Sequence, residues 1–355
     1  MRTLQKLWNV LARVRRSSGR RNGHSLSDVP EFFVCGYART LLTAAGCALV
    51  AMHAIAGSYP DKAIRVVTGS APGGGSDTVA RALGEKLTER FGQPLLVDNR
   101  AGAGGTIGAD IVAKAPPDGY TWLVATSSAI VVSPAMQKLP YNVERDLAPV
   151  MQISSVPFIL AVNPAVPAKS VGELIALAKA KPGQLSYASS GIGAMSHLAM
   201  ELFKYMAGVN LTHVPYRGSA PAAYDLIGGQ VQAAFNNLIP TLPHVKSGRL
   251  RALGVSSLKR SPVLPDVPTV AESGLPGYEA MQWYGVLLPA AVPKTTIAFL
   301  SRELTAVLQV PAVRSRLLDE GGDVIGGTPE QYATVIHNDL AKWTRLVKAA
   351  GIKAE

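Results

Sequence analysis

Residues Ile64–Phe91, IRVVTGSAPGGGSDTVARALGEKLTERF, contain the pattern that decides the fold. The stretch opens with a β-branched run, passes through a glycine corner at Pro72–Gly75, and then places an apolar residue at every fourth position from Val79 onward. This order predicts a strand, a tight turn and an amphipathic helix that Ser76 or Asp77 caps. Such a corner gathers backbone N–H groups around one concave point, which favours an anionic ligand.

A second corner of the same kind lies in Leu185–Gly208, LSYASSGIGAMSHLAMELFKYMAG. Apolar residues at i, i+3, i+4 and i+7 from Met195 predict its helix, and His197 and Glu201 fall together on the other face. An i,i+4 pair of this kind is usually a solvated helix face, and His197 is expected to be a helix-surface or inter-element residue. One glycine corner taken alone is equally an ordinary strand-to-helix turn. Two of them, each in its own α/β block, would enclose a small anion if the blocks face each other.

Strands and helices alternate along the remaining chain. Further strands are predicted at Pro94–Asp98, Thr121–Ala125 and Phe158–Val162, and helices at Lys294–Gln309 and Pro329–Ala350 close the chain. The repeated β-α order predicts an α/β fold with mostly parallel sheets.

The first 56 residues resemble an export signal. Residues 1–39 carry eight Lys or Arg against two acidic residues, and an apolar run over Leu41–Ala56 follows. This predicts a signal peptide over residues 1–56 that is removed after about Ala56, and therefore a periplasmic protein. The long basic region leaves open whether export uses the twin-arginine route and whether translation starts further downstream.

Removal of this leader would change the composition. Both cysteines, Cys35 and Cys47, would leave with it, so the mature chain would need no disulfide. The net charge of +11 would fall to +5, from 27 Lys and Arg against 22 Asp and Glu, which gives little support to nucleic-acid binding. Roughly 300 residues would remain, enough for two α/β domains.

The motifs of several enzyme classes are missing from the sequence. It contains no GxxxxGK[ST] nucleotide loop, no HExxH zinc motif and no GxSxG nucleophile elbow. The histidines beyond the leader are scattered, so neither a metal centre nor a cofactor is expected. A hydrolase or lyase that uses His197 and Glu201 as an acid/base pair is the weaker alternative.

Several motifs occur together in one order from about Tyr59 to the C-terminus. They are PGGGSD at Pro72–Asp77, NRAGAGG at Asn99–Gly105, PDGY at Pro117–Tyr120, HVPYRG at His213–Gly218, GQV at Gly229–Val231 and PTVAESG at Pro268–Gly274. In these motifs the chain resembles the substrate-binding proteins of tripartite tricarboxylate transporters, also called the Bug family.

The resemblance implies a two-domain Venus-flytrap fold of the periplasmic-binding-protein type, type II-like, with crossing strands. Domain I is expected at residues 57–163 plus 281–355 and domain II at residues 164–280. Asn163–Pro164 and Gly277–Tyr278 are hinge candidates, although Pro and Gly at these points are equally ordinary element terminators.

The resemblance also implies the ligand contacts, carried largely by backbone amides and hydroxyls rather than by an arginine. In domain I they are Gly74, Gly75, Ser76, Asp77, Ser127 and Ser128. In domain II they are Ser190, Gly191, Gly193, Ala194 and Asn236. Trp283 and Tyr284 stand near the expected crossing, where they would either cover a ligand ring or pack between the domains.

The implied function is reversible binding of a small carboxylate without chemistry. A dicarboxylate or tricarboxylate, an acidic amino acid or an aromatic acid would be delivered to the small and large integral membrane subunits of the transporter. A ligand-loaded receptor that signals to a sensor kinase is the alternative, because both roles use the same closed state. No pattern in the chain argues for assembly, so a monomer is expected.

Overall fold

The computed structural model describes residues 59–319 and 321–353, and the predicted leader over residues 1–56 lies outside the described residues. The strands are β1 (Ile64–Thr68), β2 (Leu95–Asn99), β3 (Thr121–Thr126), β4 (Leu147–Val162), β5 (Ser186–Ser189), β6 (Thr212–Pro215), β7 (Ala233–Asn237), β8 (Arg251–Val255), β9 (Met281–Pro289) and β10 (Asp323–Gly326).

The α-helices lie between and after these strands. They are α1 (Gly75–Phe91), α2 (Thr106–Ala113), α3 (Ser133–Met136), α4 (Val143–Asp146), α5 (Val171–Ala180), α6 (Met195–Ala207), α7 (Ser219–Ile227), α8 (Leu238–Lys246), α9 (Lys294–Leu308), α10 (Pro311–Leu318) and α11 (Pro329–Ala350). Among the described residues, no helix is both long enough and apolar enough to cross a membrane.

The strands form one sheet in the order β2-β1-β3-β9-β4-β7-β5-β6, with β8 and β10 paired to β4 outside this path. The pairs toward the two ends of this order are parallel, as the β-α alternation predicts. The described pairs of β4 and β9 are antiparallel. The α/β class is confirmed, but the sheet is mixed rather than mostly parallel, because β4 and β9 run against the strands beside them.

The long strand β4 belongs to both halves of this sheet. It is 16 residues long, and its residues from Leu147 to Pro157 pair with β9. From Phe158 to Val162 it pairs instead with β7 and β8. The predicted hinge residue Asn163 follows directly, and its Nδ2 donates to the carbonyls of Leu226 and Ile227 at 2.9 and 3.0 Å. The division into 57–163 with 281–355 and 164–280 stays a prediction.

The C-terminal helix α11 packs against the start of β9. The Trp283 indole Nε1 donates to Asp339 Oδ2 at 2.7 Å, and the Tyr332 ring meets the Trp283 ring edge-on with centroids 5.5 Å apart. Both aromatic residues are buried. These contacts of Trp283 lie within residues 281–355, so they are packing inside the predicted domain I rather than between the two domains.

Two glycines provide a matched test of this packing. A Cβ on Gly285 of β9 would collide with the Tyr332 ring, whereas a Cβ on Gly84 of α1 would make an ordinary contact with Leu95 Cβ at 3.6 Å. We expect Gly285→Ala to lower the free energy of unfolding by about 1–3 kcal/mol through overpacking. Gly84→Ala should raise it by about 0.4–1 kcal/mol, because alanine restricts the unfolded chain.

Urea denaturation of the two variants and the parent protein measures both effects. A Gly285→Ala variant as stable as the parent would show that α11 does not press on β9 as described.

Candidate ligand-binding site

A cavity of about 330 Å³ lies where the carboxyl ends of β1, β3, β5 and β7 come together. Polar groups that follow these strands and the first turns of α1 and α6 form most of its wall. The lining residues are Gly69, Ser70, Gly75, Ser76, Gly104, Thr126, Ser128, Phe158, Ser190, Gly191, Ile192, Ala194, Met195, Ser196, Ser219, Phe235, Asn236, Asn237, Gln282 and Tyr284.

Most of the residues predicted to contact a ligand come together in this wall. Those in the lining are Gly75, Ser76, Ser128, Ser190, Gly191, Ala194 and Asn236. The other four stand directly behind or beside it: Gly74, Asp77, Ser127 and Gly193. Of these, Ser127 is fully buried, and its Oγ accepts the Trp283 N–H at 3.4 Å.

The first corner is held by a pair of serines rather than by a side-chain cap. Helix α1 begins at Gly75, and its N-cap Gly74 offers no side chain, so the predicted capping by Ser76 or Asp77 is wrong. Ser70 acts from upstream instead. Its Oγ lies 2.7 Å from Ser76 Oγ and accepts the Asp77 N–H at 3.2 Å. These bonds tie the glycine loop to the first turn of the helix.

Asp77 braces the same loop from behind the wall. Its Oδ2 accepts the Gly73 N–H at 2.9 Å, and its Oδ1 accepts from Asn99 Nδ2 at 2.9 Å. The Arg81 guanidinium adds an ion pair at 3.0 Å. Burial alone would raise the pKa of Asp77, but these hydrogen bonds and the charge of Arg81 outweigh it and lower the pKa below 3.8. The buried carboxylate is therefore ionised at neutral pH.

The second corner repeats this geometry at equal spacing. The Ser190 N–H donates to Ser196 Oγ at 3.1 Å, and the two serine Oγ atoms lie 2.9 Å apart, six residues apart in the chain like Ser70 and Ser76. The Gly193 N–H donates to His197 Nδ1 at 3.3 Å, four residues apart, as Gly73 donates to Asp77. Ser70 and Ser196 were missed from the sequence, although this shared spacing would have indicated both.

The pair His197 and Glu201 is buried between elements, so of the two places considered for His197 the inter-element one is observed, and a solvated helix face for the pair is wrong. His197 is 5% exposed and Glu201 is 8% exposed. The Glu201 carboxylate is satisfied by the Tyr187 hydroxyl at 2.5 Å and by Lys204 Nζ at 2.6 Å. The face opposite the apolar stripe of α6 packs on β5 and β6 instead of meeting solvent.

Asn236 and Tyr284 are two residues of the cavity wall with unusual surroundings. The Asn236 side chain, at the end of β7, is 6% exposed, and its Nδ2 has no hydrogen-bond partner among the described residues. The Tyr284 hydroxyl lies where a Cβ on Gly75 would be, so only glycine allows β9 and α1 to approach this closely. Of the two roles considered for Tyr284, a place in the cavity wall is the one observed.

Among the residues that the structure describes, those in the wall include no charged side chain. Its donors are hydroxyls, amides and the first N–H groups of α1 and α6, which lack partners within their own helices and carry the positive end of the helix dipole. In residues 59–319 and 321–353, no three His, Cys, Asp or Glu gather where they could hold a metal ion. The arrangement favours an anion held by neutral donors.

Two α/β halves that share a long strand, with a polar cavity at their helix N-termini, define a solute-binding protein of the periplasmic-binding-protein fold. The model of the tripartite tricarboxylate transporter family receptor matches residues 79–352, and the chain belongs to this family. It is 39% identical over 306 residues to protein BugT of Bordetella pertussis, covering 86% of this chain and 94% of BugT.

Two solved structures of relatives were found with carboxylates. Rpa4515 of R. palustris with adipate has a TM-score of 0.74 at 36% identity. The match covers 83% of this chain and 99% of the Rpa4515 chain. MatC of Rhodopseudomonas palustris with bound malate has a TM-score of 0.71 at 31% identity and covers 81% of this chain and 100% of its own. The chain is therefore similar to carboxylate-bound receptors over nearly their whole length.

The brace at Asp77 predicts a pH-dependent cost for its removal. Asp77→Asn should lower the free energy of unfolding by about 1–3 kcal/mol at pH 7, because the amide loses the charge-assisted bonds of the carboxylate. The pKa of Asp77 is lower in the folded protein than its value of 3.8 in the unfolded chain. The ionised carboxylate therefore stabilises the fold above pH 3.8, and this stabilisation is lost as the pH falls through the pKa of the folded protein. The difference between parent and variant should therefore shrink in acid.

Urea denaturation at pH 7 and near pH 3 measures this difference. Glu85→Gln, an exposed position on the same helix, is the control and should change stability little at either pH. A penalty for Asp77→Asn that is equal at both pH values would contradict the ionised brace.

Proposed function

We propose that this protein is a periplasmic receptor that binds a small carboxylate in the described cavity, leaves it chemically unchanged and delivers it to the membrane subunits of a tripartite tricarboxylate transporter. The observation that carries the proposal is the pairing of two serine-bridged helix N-termini around one cavity, to whose wall the described part of the chain contributes no charged side chain. Membership of the receptor family and the predicted leader support the same role.

The size and polarity of the cavity suit a small acid. A volume of about 330 Å³ lies at the low end of the range for small-molecule sites. The hydroxyls and the partial charges of the helix N-termini lie on both sides, whereas Phe158, Phe235 and Met195 give the wall an apolar part. A short carbon skeleton with carboxylate oxygens matches both, and relatives bound to adipate and malate support this class of ligand.

Neutral donors have an advantage for a receptor that must also exist empty. A buried arginine would form strong bonds to a carboxylate, but it would be an uncompensated charge whenever the cavity is unoccupied. N–H and O–H donors still form charge-assisted bonds to an anion. The unpartnered Asn236 Nδ2 is one donor that a ligand oxygen would satisfy.

The composition of the wall also favours binding over chemistry. Its side chains, within residues 59–319 and 321–353, are those of Ser, Thr, Asn, Gln, Tyr and apolar residues. These residues offer no His, Asp, Glu, Lys or Cys for proton transfer or nucleophilic attack at neutral pH. His197, the base of the alternative lyase or hydrolase hypothesis, stands behind the second corner and accepts a backbone N–H.

We infer that the ligand is trapped by closure of the two halves about β4 and the chain that leads into β9. The ladder of β4 passes from β9 to β7 and β8 between Pro157 and Phe158, next to the cavity residue Phe158. A small change there would move the two corners toward each other. The receptor is expected to act as a monomer.

A thermal-shift screen tests the ligand class. We expect carboxylates such as adipate or malate to raise the melting temperature. At a ligand concentration a hundredfold above Kd, the free energy of unfolding should rise by about 2.7 kcal/mol. Neutral sugars serve as the comparison and should leave the melt unchanged. Shifts produced by sugars or nucleotides alone would refute the carboxylate assignment.

Substitutions in the two corners test the position of the site. Ser76→Ala and Ser190→Ala should each weaken binding of the best carboxylate by about 1–3 kcal/mol, because ligand oxygens lose a donor. Titration calorimetry measures the loss. Unchanged affinity in both variants would mean that the ligand binds elsewhere.

A charge placed at Asn236 gives a sharper result. Asn236→Asp keeps the shape of the side chain but replaces the unpartnered donor with an anionic acceptor, so it should abolish carboxylate binding. Asn338→Asp makes the same change at an exposed position on α11 and is the matched control. Equal binding by both variants would exclude contact between Asn236 and the anion.

A further inference from the structure

Two histidine rings are stacked directly behind the second corner. The imidazoles of His197 on α6 and His213 on β6 have centroids 4.1 Å apart and planes 6° apart. The Tyr187 ring of β5 continues the stack, 4.8 Å from His213. None of these three residues lines the cavity.

Both imidazoles hold the loop that forms the corner. Ser189 Oγ lies 2.6 Å from His213 Nε2, and the same Oγ accepts the Gly191 N–H at 3.2 Å. At the other end of the loop, the Gly193 N–H donates to His197 Nδ1 at 3.3 Å. Gly191 and Gly193 have φ of +136° and +75°, so the loop depends on glycine conformations that these external bonds must select.

The comparison with the first corner shows what His197 replaces. In the first corner the acceptor of the glycine N–H is the Asp77 carboxylate, which pairs with Arg81 four residues later. In the second corner the equivalent acceptor is His197, and Glu201 stands four residues later. The glycine N–H is therefore accepted by an ionised carboxylate in one half and by an imidazole in the other.

The charge state of the pair is set by its surroundings. The pKa of His197 and that of His213 are each lowered to about 4, mainly by burial and, for His197, also by the neighbouring His213. Glu201 on α6 raises both pKa values and Lys204 on α6 lowers them. The Tyr187 hydroxyl of β5 donates to Glu201. Both rings are therefore neutral at pH 7, and His197 accepts through Nδ1 with its proton on Nε2.

We propose that His197 and His213 are positioning residues for ligand binding: as neutral rings they fix the Ser189–Gly193 loop in the shape that presents its N–H groups to the anion. The part of this inference that concerns the ligand rests on the proposed function, whereas the part that concerns the shape of the loop does not. A proton on Nδ1 of His197 would remove the acceptor of the Gly193 N–H, and two charged rings 4.1 Å apart would repel each other. Acid therefore loosens the second corner.

Two substitutions at His197 separate shape from hydrogen bonding. His197→Asn places an amide oxygen near the position of Nδ1 and cannot titrate, whereas His197→Phe keeps a ring in the stack but has no acceptor. With adipate and malate as probes at pH 7, we expect His197→Phe to raise Kd at least tenfold, the scale expected when a buried N–H is left unpaired. The Kd of His197→Asn should stay within about threefold of the parent value.

The pH profile supplies a readout that packing alone would not change. The ratio of the parent Kd to the His197→Asn Kd, measured by titration calorimetry at the same pH, cancels the titration of the probe itself. This ratio should rise as pH falls from 7 toward 4. A ratio that stays constant, or a His197→Asn variant as impaired as His197→Phe, would overturn the proposal.

Hydrogen exchange of the ligand-free protein tests the loop without any ligand. The amide of Gly193 should exchange faster in His197→Phe than in the parent, and at the parent rate in His197→Asn. Ser189→Ala should accelerate exchange at Gly191 by removing its acceptor. If the parent binds neither adipate nor malate, the proposed ligand class is wrong, but the exchange rates still test whether the histidines hold the loop. Unchanged exchange in every variant would refute that role.

Discussion

The structure depends on the backbone ladder of β4, which pairs with β9 over one part of its length and with β7 and β8 over the other. Because β4 is a single strand from Leu147 to Val162 that pairs on both sides of the partner change, the ends of β1 and β3 are held opposite the ends of β5 and β7. The cavity exists only because of that placement: neither half alone has donors on two sides. The buried aromatic contact between Trp283 and Tyr332 stabilises the same crossing from the side of α11.

Under the proposed function, the cavity must bind an anion without a buried cation to pair with it. Each half offers a helix N-terminus and a pair of bonded serines, Ser70 with Ser76 and Ser190 with Ser196. The serine hydroxyls fix the loops, and the loops aim their N–H groups. Charge is kept one layer further back, where Asp77 and Arg81 satisfy each other beside the loop rather than in the cavity.

The two corners differ in that second layer. The first is braced by the Asp77 carboxylate and the second by neutral imidazoles. At pH 7 a lowered pKa keeps the carboxylate charged, whereas a lowered pKa keeps an imidazole uncharged. Both supply an acceptor to a glycine N–H. Protonation of His197, whose pKa is about 4, would remove the acceptor of the second corner, whereas the pKa of Asp77 in the first corner is lowered below 3.8.

The sequence by itself determined the α/β class and the two glycine corners, because these are local patterns of spacing and turn chemistry. Its motifs carried the resemblance to the family, and through that resemblance seven of the residues that line the cavity. It did not determine the direction of β4 and β9, the burial of His197 and Glu201, or the places of Ser219, Gln282 and Tyr284 in the wall. Those depend on which distant strands pair and which helix face is covered. An i,i+4 pair of polar residues looks the same in sequence on a solvated face and on a buried one, and only tertiary packing decides between them.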